Sequence, residues 1–259
     1  VILHASEQGS GPPLALLHGL FGRSQNFGAL ARRLAAQHRV ISLDLRNHGA
    51  SPHALGMDYA TMAEDARETL TGRGAWPACV LGHSMGGKVA MMLALLHPAQ
   101  VQTLIVGDIA PVAYRHGNRG IAAAMAAIPL VPGLTRAAAD AALAGAVPQP
   151  AVRSFLLQNL VFAQTPYWRI GLLEIAAALG DIEGWPDELA THYTGPVWFI
   201  TGANSDYVLP EHRPVIARLF PASRILAIPD AGHWLHADQP DAFARLVEAA
   251  LLPPRAAGI

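Results

Sequence analysis

Residues 82–87 read Gly-His-Ser-Met-Gly-Gly. An apolar run, 77–81, precedes them and an Ala/Met/Leu-rich run, 88–96, follows. A serine between glycines on a tight strand-to-helix turn is suited to nucleophilic attack, because the turn lifts its hydroxyl above the sheet edge. Gly82 and Gly86 lack Cβ atoms, so strand and helix can approach closely around Ser84. The next backbone N–H, that of Met85, opens the helix where developing negative charge is stabilised. With nine Ser and 24 Gly in the chain, chance supplies a Gly-x-Ser-x-Gly about 0.08 times. A catalytic serine therefore needs further support: a base, an acid behind the base, and a second oxyanion donor.

His233 is the expected base. It follows the apolar run 225–228 through a short loop, and residues 241–252 then read as a helix with Phe243, Leu246, Val247 and Leu251 on one face. A histidine on a loop at a strand's C-terminal end is placed to reach an elbow serine. His236 is the local rival. His4, His38, His53, His97, His116, His192 and His212 are expected to be solvated or structural. The second oxyanion donor is expected from His18-Gly19-Leu20-Phe21-Gly22, directly after the apolar run 14–17. Its glycines let the backbone turn and aim N–H groups into the site. Leu20 is the expected donor, with Phe21 beside it on the substrate side. Two carboxylates compete for the acid. Asp108 ends the run 103–107, and Asp206 lies in the loop after the run 197–201. For Asp108 the competing role is a carboxylate that caps a helix or braces a loop.

These segments together resemble a serine hydrolase of the α/β-hydrolase superfamily, most closely the small bacterial esterase branch acting on acyl esters and acyl-CoA-like thioesters. The resemblance spans nearly the whole chain. It is carried by residues 18–22, Asp44-Leu45-Arg46-Asn47-His48-Gly49-Ala50-Ser51, Gly82-His83-Ser84-Met85-Gly86-Gly87-Lys88, Asp108-Ile109-Ala110-Pro111 and Gly232-His233-Trp234-Leu235-His236-Ala237. The elbow and the final histidine mark the superfamily. Arg46-Asn47-His48-Gly49, Lys88 and Asp108-Ile109-Ala110-Pro111 mark the branch. Many superfamily members place the acid three residues after the glycine of the later loop, a slot filled here by Ser205. The branch instead places it on the Asp-Ile-Ala-Pro segment, so the resemblance implies Asp108 as the acid. Asp206 is a departure from the branch pattern.

Composition fits one α/β domain with a large core over 259 residues. At 52% hydrophobic and 14% charged the chain is a buried globular one, not a disordered one. A net charge of -1 provides no field for nucleic acid or an anionic membrane. The lone Cys79 excludes an intrachain disulfide and reads as a packed small residue. Lysine occurs once, at Lys88, against abundant arginine, a pattern of coding bias. No run of 18 apolar residues and no signal peptide are visible, so a cytoplasmic enzyme is expected. The chain begins at Val1 close to the first expected strand, which suggests a strand residue or two upstream.

Strands are expected at 15–17, 40–44, 78–81, 103–106, 197–201 and 223–228, with helices at 27–36, 59–70, 86–97, 210–219 and 241–251. Solidly apolar strands alternating with helices predict a mostly parallel sheet covered on both faces. The α/β-hydrolase core is expected at 1–111 and 195–259. Residues 112–194, Ala-rich, Pro-punctuated and without a clear strand, are expected to form a helical cap (lid) inserted after the sixth core strand. An insertion at strand C-terminal ends borders the site. Its apolar stock is Phe155, Leu156, Leu160, Phe162, Trp168, Leu172, Ile175 and Trp185, of which Phe155, Phe162 and Trp185 are expected to line an acyl pocket. Arg153 and Arg169 are expected on a solvated face, an anionic leaving group being the other use for either. The resulting expectation is a serine esterase for short- to medium-chain esters or thioesters of small molecules, with no cofactor and no metal. The same triad serves carbon–carbon bond hydrolysis, lactone opening or perhydrolysis, and the fold alone serves small-molecule binding. A dehalogenase or epoxide hydrolase needs a carboxylate where Ser84 stands.

Overall fold

The computed structural model describes residues 1–114, 117–186 and 189–252; His116 lies outside them. The chain opens with β1 (Ala5–Gln8), β2 (Pro13–Leu17), α1 (Gly28–Leu34), β3 (Arg39–Leu43), α2 (Tyr59–Gly72), β4 (Ala78–His83), α3 (Met85–Leu96) and β5 (Val101–Gly107). An inserted segment follows, with α4 (Asn118–Ala126), α5 (Arg136–Leu143), α6 (Pro150–Leu156), β6 (Leu160–Val161), β7 (Tyr167–Trp168), α7 (Leu172–Ala177) and α8 (Leu179–Glu183). The chain then returns through β8 (Val197–Gly202), α9 (Arg213–Leu219), β9 (Ser223–Ile228), α10 (Leu235–Asp238) and α11 (Pro240–Leu251).

Seven strands form one sheet in the order β1-β3-β2-β4-β5-β8-β9, and only β1 runs antiparallel to its neighbour. Side chains alternate across it. Leu14 and Leu16 face a core completed by Leu30 and Leu34 of α1 and Phe243 and Val247 of α11. Ala15 and Leu17 face the larger core, with Met62 of α2, Val89 of α3 and Ile216 of α9. Both faces are covered, so the strands had to be continuously apolar, and that is what made them readable.

Three features differ from expectation. The sequence Ala5-Ser6-Glu7-Gln8 is polar and largely exposed, so no apolar run announced β1; its pairing with β3, Ala5 opposite Leu43, makes it a strand. The insertion leaves the sheet after the fifth strand rather than the sixth, since β1 alone precedes β2 among the described residues. The inserted segment also contains a short hairpin, Leu160 opposite Trp168 and Val161 opposite Tyr167, too brief for periodicity to reveal. No helix among the described residues is long and apolar enough to cross a membrane.

Candidate active site

A parallel sheet delivers every strand's C-terminal end to one edge. Ser84 follows β4 there, Asp108 follows β5, and the loop carrying His233 follows β9. Ser84 has φ 53° and ψ −123°, a strained conformation for a residue with a side chain. Its N–H donates to Gly107 O at 2.9 Å, which fixes the turn against β5. The flanking glycines are sterically required. A Cβ on Gly82 would lie 2.0 Å from Gly86 O, and one on Gly86 would lie 2.3 Å from Leu17 O and 2.5 Å from His18 O. Those are backbone atoms, so relief means moving β2 and the loop after it. Gly86→Ala is therefore expected to lower stability by about 1–3 kcal/mol, the usual cost of overpacking. An unchanged thermal melting temperature for this variant would contradict the steric argument.

The Ser84 hydroxyl donates to His233 Nε2 at 3.0 Å, and His233 Nδ1–H donates to Asp108 Oδ2 at 2.8 Å. Asp108 is fully buried, at φ 48°. Its Oδ1 accepts the Gly202 N–H at 3.0 Å, and its Oδ2 also accepts the Ser205 hydroxyl. A carboxylate accepting on both oxygens is held in one orientation, and it fixes the imidazole tautomer with Nε2 facing the serine. Asp206 is exposed, one residue past Ser205. Tyr207 stacks on the imidazole, with ring centroids 3.6 Å apart and planes 14° apart. His83 Nε2–H donates to the His233 carbonyl at 2.7 Å, tying the histidine loop to the end of β4. The rival His236 packs against His83 and Phe27 rather than reaching Ser84.

The loop after β2 faces the elbow: a Cβ on Gly19 would lie 3.2 Å from Ser84 Cβ. Phe21 sits at φ 59°, and its N–H is engaged by His48 Nε2 at 3.1 Å. That removes Phe21 as an oxyanion donor. The Leu20 and Met85 N–H groups have no protein acceptor among the described residues. His48 can accept because it is neutral: burial and the neighbouring His18 push its pKa down to about 3. Its Nδ1–H donates to Arg46 O at 2.8 Å. His18 is lowered too, by burial; its Nε2 accepts the Leu45 N–H at 2.9 Å and its Nδ1–H donates to Gly19 O at 2.8 Å. Two neutral imidazoles thus brace the loop. The Arg46-Asn47-His48-Gly49 segment is held in turn by the Arg46 pair with Asp65, 2.5 and 2.7 Å. Sequence reasoning missed His18, His48, His83, Ser205 and Tyr207. A histidine beside glycine at the end of an apolar run was the available signal for His18 and His83.

The inserted segment joins this framework. Asn159, buried, donates from Nδ2 to Phe21 O at 2.7 Å. A cavity of about 390 Å³ opens on Ser84 and His233, walled by Leu20, Phe21 and Trp234 from the core and by Ile121, Val152 and Phe155 from the insertion. Phe21 and Phe155 line the cavity. Phe162 and Trp185 do not. Phe162 sits exposed in the turn between β6 and β7, and Trp185 packs on Tyr59 with centroids 5.7 Å apart, outside the cavity. Arg153 pairs with Asp140 at 2.9 Å and bonds the Val147 and Pro148 carbonyls, and its side chain does not line the cavity. Chemically, the arrangement offers a hydroxyl hydrogen-bonded to an imidazole that a carboxylate backs, and two N–H groups without a protein acceptor among the described residues, beside a largely apolar cavity.

Residues 12–240 match the family model described as alpha/beta hydrolase fold. The chain is 41% identical over 241 residues to the sn-1-specific diacylglycerol lipase ABHD11 of Mus musculus, covering 90% of this chain and 78% of that one. It is 38% identical to esterase YbfF of Escherichia coli (strain K12), covering 94% of each. Among solved structures, a marine microorganism esterase superposes with a TM-score of 0.93 at 35% identity, covering 96% of this chain and 99% of that one.

Proposed function

The chain belongs to the α/β-hydrolase family, and from that membership we propose that it is a carboxylic ester hydrolase in which Ser84, His233 and Asp108 form the catalytic triad. The observation that carries the assignment is the continuous hydrogen-bonded path from Ser84 Oγ through His233 to a buried, doubly anchored Asp108. The named activities of the relatives, a lipase and an esterase, favour the same reaction class.

In this mechanism His233 Nε2 takes the Ser84 proton as Oγ attacks the ester carbonyl carbon. The tetrahedral oxyanion is held by the Leu20 and Met85 N–H groups, the latter at the N-terminus of α3. The imidazolium is stabilised by Asp108 and returns the proton to the departing alcohol or thiol. Water then attacks the acyl-enzyme through the same base, releasing the acid and regenerating Ser84. The inserted segment acts as the cap over this site and supplies part of its apolar wall. A fluorophosphonate probe tests the reading directly: it should label wild-type protein at Ser84, and absence of labelling alongside absence of ester turnover would reject it.

The acyl preference follows from space. A cavity of about 390 Å³ lies near the small end of ligand sites, which span roughly 300–1,000 Å³. Short- to medium-chain esters and thioesters are the proposed substrates. Across p-nitrophenyl esters, kcat/KM is expected to peak between acetate and octanoate. Faster turnover of laurate and palmitate esters would count against the cavity setting the limit.

A further inference from the structure

Lys88 is the only lysine of the chain; every other residue in the Lys/Arg class is arginine. It lies on α3 four residues after Ser84, hence about 6 Å further along the helix at 1.5 Å per residue, and is only 1% exposed. Its Nζ donates to Gly184 O at 2.7 Å and, more weakly, to Glu183 O at 3.5 Å. Two other groups reach the same backbone. The Tyr59 hydroxyl donates to Ile182 O, and the Tyr114 N–H donates to Glu183 O at 2.8 Å. These are carbonyls at the C-terminal end of α8, which lack partners within their own helix and favour a cation. The Tyr59 and Tyr114 rings flank the ammonium at 5.3 and 4.8 Å. Asn118 holds the Glu183 carboxylate from α4, 3.1 Å away. Lys88, Ile182 and Glu183 all line the cavity that opens on Ser84.

A core helix thus caps an inserted helix from below, with the one side chain that combines a thin apolar stem and a compact charged head. Arginine's broad planar head has a different shape and donor geometry. We propose that Lys88 is a specificity-determining positioning residue: by capping the C-terminal end of α8 it fixes the Ile182–Glu183 wall of the cavity and so sets which acyl chains are accepted. The proposal rests on the serine esterase reading. Ile182 and Glu183 line the same cavity as Ser84, and an octanoyl chain, six methylenes longer than acetyl, must occupy more of that cavity's wall.

The cap is also sensitive to pH. Burial pushes the Lys88 pKa down to about 7, with the Glu183 charge acting in the opposite direction. The titratable groups facing it are Tyr59 from α2, Tyr114 from the segment after β5, and Glu183 from α8. Burial holds both phenols above their usual range, so neither exchanges a proton near neutrality. The cation and its pull on the α8 carbonyls are present below about pH 7 and lost as the pH rises through it.

The test compares kcat/KM for p-nitrophenyl octanoate and acetate in wild type and in Lys88→Met, which keeps an apolar stem of similar length. The octanoate-to-acetate ratio is expected to fall about tenfold in the variant through the octanoate KM, a discrimination typical of a methylene or two in an apolar pocket. A cooperatively melting Lys88→Met protein with the wild-type ratio overturns the proposal. If that variant does not fold, the same ratio is followed in wild type from about pH 6 to about pH 9. An ionisation of the free enzyme that both reactions share cancels in the ratio. A several-fold fall through neutrality is expected, and a flat ratio overturns the proposal. Failure of the underlying reading appears differently, as wild-type protein whose Ser84 a fluorophosphonate does not label.

Discussion

Ser84→Ala is expected to abolish ester hydrolysis while the protein folds normally, with kcat reduced on the order of 10⁶. The fold should survive because, among the described residues, the hydroxyl's hydrogen bond runs to His233, while the structural bond at this residue is its backbone N–H to Gly107 O. Alanine can keep the Ser84 backbone angles no worse than serine does, since both carry one Cβ. The loss should be large because, in the proposed mechanism, the hydroxyl forms the covalent intermediate. The remaining rate over water would come from the oxyanion donors and binding, which in comparable triads leave roughly 10³–10⁴. Steady-state kcat with p-nitrophenyl butanoate, beside a thermal melt, makes the measurement. More than about a percent of wild-type activity in a cleanly folded variant would sink the assignment of Ser84.

The second large effect separates the two carboxylates. Asp108→Asn is expected to lower kcat by up to about 10⁴, and Asp206→Asn to change it by less than roughly tenfold. The geometry behind this is specific. In the variant, the amide oxygen is drawn to the Gly202 N–H that now meets Oδ1, which turns the amide nitrogen toward Ser205 and His233 Nδ1. The Ser205 hydroxyl can rotate to accept; the imidazole must give up its Nδ1 proton. Nε2 then carries the proton and cannot take one from Ser84. Asp206 points to solvent and its loss leaves this path untouched. The reverse pattern would transfer the acid role to the later loop. Comparable losses at both positions would call for the double variant. Additive free energies would then mean separate roles, and a silent second substitution a shared one.

What the sequence determined by itself follows from rules that act over a few residues. Apolar runs had to become buried parallel strands, and Gly82 and Gly86 had to sit where no Cβ fits, so the fold class and the Ser84 elbow were readable directly. His233 was readable because a loop after the last apolar strand can reach only one edge of a parallel sheet. The preference for Asp108 over Asp206 rested on spacing, with Ser205 in the usual acid slot and Asp206 one residue past it, and the resemblance agreed; the side-chain direction itself is not carried by composition. Tertiary structure alone decided the rest. Ser205 turns its hydroxyl onto Asp108, and Tyr207 stacks on the base. His48 engages the Phe21 N–H, while that of Leu20 has no protein acceptor among the described residues, and the bracing histidines are neutral because the fold buries them. Phe162 and Trp185 failed as pocket residues for the same reason. Hydrophobicity predicts that an aromatic side chain is buried somewhere, but which surface it meets depends on partners far away in the chain, and only the packed structure brings those together.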